Sequence, residues 1–193
     1  MAKVSSGISL STDYFMRNFY ANNRNAMKTT GRKEYSDIEL SYEDSLALSR
    51  AAKRLLRSEY KKDSSQDKDD DNIDDTTKAS VEAFVKTYNN AIDSGKKSSD
   101  YDTKRYLKQI KNLTKKHADE LEDLGISIES DGTLTVNDNL LKCADRSKAK
   151  KLFSSDEEYS KKVLKLSKKF NTAVQDNIYA QVNQKRLHIN ITL

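Results

Sequence analysis

Apolar side chains recur along this chain at two different spacings. Between Ile126 and Val136 they alternate with polar ones, which is the period of a half-buried strand pair. For Ile126, Ile128, Leu134 and Val136 to share one face, Ile128 must lie opposite Leu134 and Ile126 opposite Val136. That register leaves Ser130, Asp131 and Gly132 as a three-residue loop, with Gly132 in the left-handed region. A two-residue Asp-Gly turn would mix the two faces and is rejected. Gly125 stands where a helix ending at Leu124 needs a left-handed C-terminal residue, and Asn137 or Asp138 can cap the helix that follows. An isolated hairpin is marginal in water, so helices must cover its apolar face.

Elsewhere the spacing is three and four. Leu48, Ala52 and Leu55 predict a helix from Tyr42 to Tyr60. Val81, Phe84, Val85, Tyr88 and Ile92 predict another over Thr77 to Ile92, ended by Gly95. A third, capped by Asp100, runs from Thr103 to Leu124 along Tyr106, Ile110, Leu113, His117, Leu121 and Leu124. Residues Asn139 to Phe153 read as a short helical stretch broken near Asp145. Ser155 to Glu158 forms a capping box opening a helix over Asp156 to Gln184. In that helix Tyr159, Val163, Leu166, Phe170, Val174, Ile178 and Val182 make a heptad-like seam. Leu187, Ile189, Ile191 and Leu193 alternate with polar residues as in a short terminal strand.

The predicted fold class is therefore mainly α, an elongated helical bundle or coiled coil with one small β-hairpin (126–136). Residues 1–40 read as a flexible N-terminal segment with a short helix between Asp13 and Met27, and Ser36 to Glu39 as a capping box within a connector. Residues 41–193 read as a helical domain interrupted by the acidic run 63–75, a solvated linker. Asp67, Asp69 and Asp71 imitate the opening of a calcium loop. Asn72 then stands where that loop needs Gly and Lys78 where it needs Glu, so no metal is expected.

Composition sharpens this picture. Hydrophobic residues make up 35% and charged residues 34%, with no Pro and 5 Gly, a balance that favours solvated helices over a compact sheet protein. Net charge is +5, but Lys and acidic residues are interspersed. The lysine clusters at Lys115-Lys116, Lys148 to Lys151, Lys161-Lys162 and Lys168-Lys169 read as solvated faces rather than a nucleic-acid surface. No apolar run reaches the roughly 20 residues of a membrane span, and the first residues have no apolar core of a cleaved signal peptide. The single cysteine, Cys143, excludes an internal disulfide and reads as a half-buried structural thiol. His117, in an apolar stripe, reads as a packing residue. No nucleophile with its base, no phosphate loop and no metal set has a sequence anchor, so neither an enzyme nor a cofactor is expected.

The order of VEAFVKTYNNAI (81–92), a helix, LGISIESDGTLTV (124–136), Leu140-Leu141 and Lys151 to Phe153 resembles the C-terminal region of the flagellar filament capping protein family, also called hook-associated protein 2. The resemblance implies a structural, non-enzymatic protein whose helices pack with copies of itself or with flagellin-like filament subunits. It implies export to the bacterial flagellum without a cleaved signal, and a short form lacking the family's β-rich head domains. The alternative is a cytoplasmic helical binding module for nucleic acid or a protein partner. On either reading the chemistry lies in surfaces. Phe170, Val174, Ile178 and Val182, at the distal end of the seam, are the candidate interface for self-association. The competing expectation is that the Tyr42 to Tyr60 helix covers them in a monomeric bundle.

Overall fold

The computed structural model describes residues 10–60, 71–154 and 157–189, with side chains up to Gln184 in the last helix. Among these residues there are eight helices and one two-stranded antiparallel hairpin. The expectation of a mainly helical chain with one small hairpin therefore holds. A long coiled-coil seam does not emerge. Each helix buries its stripe against several neighbours, and residues from Phe15 to Val174 join one core.

The chain enters that core earlier than its pattern suggests. Helix α1 (Leu10–Phe19) buries Phe15, Met16 and Phe19, and two 3-10 turns, Arg24–Met27 and Gly31–Glu34, follow it. Residues 10–40 thus belong to the common core and are not a flexible appendage. The fastening is polar, which hydrophobic periodicity cannot report. The buried Asp44 carboxylate accepts from Tyr20 Oη at 2.7 Å and from both terminal nitrogens of Arg32 at 2.8 Å. Arg32 also donates to the Ala26 carbonyl, and Asn90 donates to Tyr20 Oη. Burial, with Asp44 alongside, pushes the Tyr20 hydroxyl well above its ordinary pKa, so it remains a neutral donor.

Helix α2 (Asp37–Leu56) starts at the Ser36–Glu39 capping box, five residues before the expected Tyr42, because that box satisfies the first turn's free N–H groups. It ends at Leu56. Tyr60, expected as its last residue, adopts φ 44° and folds back so that its hydroxyl donates to the Leu55 carbonyl at 3.0 Å. Glu39 accepts from the Ser36 N–H and hydroxyl, which holds its carboxyl below the ordinary 4.5. A lowered folded-state pKa contributes stability above the unfolded value and loses it as pH falls through the folded one. Glu39→Gln should therefore cost about 0.3–1 kcal/mol at neutral pH and low salt. In chemical denaturation the gap to the parent should close as pH drops below 4.5; a gap independent of pH would show that the carboxylate's charge plays no part.

Helix α3 (Asp75–Lys97) is capped by Asp74 and runs through Gly95, the residue expected to end it. Gly95 marks a close approach instead: a Cβ there would lie 3.1 Å from Leu107 and 3.2 Å from Phe170. The expected helix from Thr103 to Leu124 is two, α4 (Tyr101–Lys116) and α5 (Ala118–Glu122), broken at His117 with φ −108° and ψ 30°.

Strands β1 (Ile126–Ile128) and β2 (Leu134–Val136) pair in the expected register, Ile126 with Val136 and Ile128 with Leu134. Gly125 and Gly132 have φ of 74° and 86°, as the local pattern requires. The outer edge of β2 pairs with a side chain: Asn89 of α3 both donates to and accepts from the Leu134 backbone at 2.8 Å. Helices α6 (Asp138–Lys142) and α7 (Arg146–Phe153) are capped by Asn137 and Asp145. Their junction receives the end of the acidic run. Ile73 is buried and its N–H meets the Ala144 carbonyl at 3.0 Å, while the Arg146 N–H donates to the Asp71 carbonyl at 2.9 Å. Residues 71–73 are thus docked and not a solvated linker; the apolar Ile73 in an otherwise acidic run is the reason. Residues 63–70 lie outside the described residues. Cys143, expected half-buried, is exposed.

Helix α8 (Glu158–Ile189) packs against α2 and α4. Its backbone continues through Leu187 and Ile189, which alternation had assigned to a strand. Ser155, Asp156, Ile191 and Leu193 lie outside the described residues.

Candidate functional site

The four positions singled out along α8 divide in two. Phe170 and Val174 are buried, at 0% and 1% exposure, the first against the notch left by Gly95. Helix α2 lies over them, held by a polar ladder: Asn171 donates to Ser45 Oγ at 2.9 Å, and Ser49 to Ser167 Oγ at 2.9 Å. These two residues are core and cannot meet a second molecule without opening the bundle. The overlying helix is the one from the expected Tyr42 to Tyr60 region, as the competing expectation had it.

Beyond Val174 the cover runs out. Ile178 is half-buried at the edge of the core, and Val182 is 41% exposed. Tyr179, which the heptad spacing skipped because it adjoins Ile178, is 67% exposed. Every side chain from Tyr179 to Gln184 is exposed. The backbone from residue 175 to Ile189 therefore extends about 22 Å past the last fully buried position at 1.5 Å per residue. On one flank Gln181 donates to Asn177 Oδ1 at 3.1 Å. A second helix could bury Ile178, Tyr179 and Val182 beside this amide pair, with Asp176 one turn before Tyr179.

Other groups are placed less suggestively. The His117 ring packs 5.1 Å from Tyr159, with Nδ1 3.4 Å from Glu120 and Nε2 buried without a hydrogen-bond partner. Burial pushes the Tyr159 hydroxyl far above its usual range, so it stays protonated at neutral pH. Among the described residues no three His, Cys, Asp or Glu side chains gather as metal ligands, and no helix is long and apolar enough to cross a membrane. Lys162, Lys165 and Lys169 line a shallow groove between α4 and α8, where Lys162 pairs with Glu158 and Lys169 lies over the Tyr106 ring at 5.8 Å.

Fold and surface together define a helical-bundle protein with an uncovered apolar end on its longest helix. No family model matches the chain, and no curated protein or solved structure matches it either.

Proposed function

We propose that this chain is a non-enzymatic assembly protein of the filament-cap type, in which the uncovered end of α8 packs against the same segment of a second copy. The observation that carries the reading is the continuation of the core stripe, Phe170 and Val174, into Ile178 and Val182 with Tyr179 exposed beside them. Burying such side chains is worth about 1.5–3 kcal/mol each. The motif order over residues 81–153 supports the flagellar setting, and with it function outside the cell alongside flagellin-like subunits. The lysine-lined groove between α4 and α8 supports the second reading, a polyanion-binding module.

Sedimentation of the parent and of a variant carrying Ile178→Asp and Val182→Asp separates these. The expected result is an oligomer that becomes a folded monomer in the variant, since neither position is fully buried. A parent that stays monomeric at about 100 μM, well above a micromolar Kd, removes the assembly reading. Retention of DNA at physiological salt, lost on replacing Lys165 and Lys169 with Gln, would favour the second reading, because non-specific phosphate contacts weaken steeply with salt.

A further inference from the structure

Helix α1, the first 3-10 turn and the middle of α3 enclose a cleft of about 640 Å³. Four cations line it, Arg17 from α1, Arg24 and Lys28 around the turn, and Lys86 from α3, against one carboxylate, Asp13. Asp13 is committed to Arg17 Nε at 2.7 Å, which leaves the terminal nitrogens of that guanidinium out of the pair. Among the described residues none of Arg24, Lys28 and Lys86 is in an ion pair. The acid nearest along the helix from Lys86 is Glu82, and it is taken up by Lys78 and by the Thr12 hydroxyl at 2.6 Å. Burial pushes the Lys86 ammonium below its ordinary pKa, although the carboxylates of Glu82, Asp138 and Asp13 act in the opposite direction. Met16 and Met27 supply an apolar, adaptable floor, and Asn90 is fixed at the rim by its bond to Tyr20.

We infer that this cleft binds a phosphorylated organic anion of about the size of a nucleoside phosphate, its phosphate groups among Arg17, Arg24, Lys28 and Lys86 and its apolar body on Met16 and Met27. Arginine forks match phosphate oxygens bidentately, and the cation excess calls for more than one negative charge. Inorganic phosphate would fill only a fraction of a cavity that falls within the range of small-molecule sites. Arg17, Arg24 and Lys28 come from one stretch and Lys86 from far along the chain, so no contiguous motif announces the whole site.

Calorimetric titration with ADP tests this, with inorganic pyrophosphate and adenosine as separate arms. ADP should bind with a Kd below roughly 1 mM, pyrophosphate more weakly and adenosine more weakly still. Arg24→Gln, at an exposed position where folding is undisturbed, and Lys86→Met should each weaken ADP by about tenfold or more. Replacing Lys165 and Lys169 with Gln should leave it within about twofold. A Kd for ADP above that limit overturns the inference. So does equal weakening by the α8 replacements, which would mean diffuse attraction to a basic surface, or pyrophosphate matching ADP, which would remove the apolar floor from the site.

Discussion

Asp44→Ala should lower stability by about 3–5 kcal/mol, the largest loss expected from any single charged position, because it leaves a buried cation and a buried hydroxyl without their acceptor. The carboxylate has no exposure and binds Arg32 through both oxygens, with that side chain only 18% exposed. It also accepts from Tyr20, the most buried tyrosine. Urea denaturation monitored by circular dichroism measures the loss. Because α1 and both 3-10 turns hang on this network, their protection from amide exchange should fall before that of α3 and α8. A loss under about 1 kcal/mol would mean that water replaces the missing oxygens. Pairing the change with Arg32→Met should recover part of the loss, since the uncompensated charge is then gone too.

Phe170→Ala is expected to cost about 3–5 kcal/mol by opening a cavity between α2, α3 and α8. The ring is fully buried and sits against Gly95, where the neighbouring backbone comes closest and has least side chain with which to refill the space. Val182→Ala, about three turns further along the same helix, should cost under about 1 kcal/mol in the monomer, because its side chain is 41% exposed. The pair is a direct reading of where core ends and surface begins on α8. Equal costs at the two positions would mean that Val182 has an intramolecular cover, and the interface proposed for it would fail.

By itself, the sequence determined those elements whose signals are local. The hairpin register follows from the two-residue period and from Gly132, the only residue type that accepts φ 86° there freely. The caps at Ser36, Asp100 and Asn137 and the stripe through Val81, Phe84 and Tyr88 are likewise readable within a few residues. Helix ends were less legible where long-range contacts decide them. Gly95 looks like a terminator in isolation and is a packing notch once Leu107 and Phe170 arrive from α4 and α8. Ile73 looks like a stray in an acidic run until the Ala144 carbonyl is seen to receive its N–H.

Tertiary structure alone decided which part of the long seam is core. Seven apolar positions from Tyr159 to Val182 have the same spacing and nearly the same chemistry, so no local rule divides them. The division is made by α2, whose start at Ser36 fixes how far along α8 its cover extends, and the polar contacts of Ser45 and Ser49 hold that register. The same holds for the cation-lined cleft. Arg17, Arg24, Lys28 and Lys86 are unremarkable lysines and arginines in a chain rich in both, and only the packing of α1 against α3 sets them around one cavity. Periodicity reports which face of a helix is buried, whereas what lies against that face depends on contacts between residues far apart in the chain.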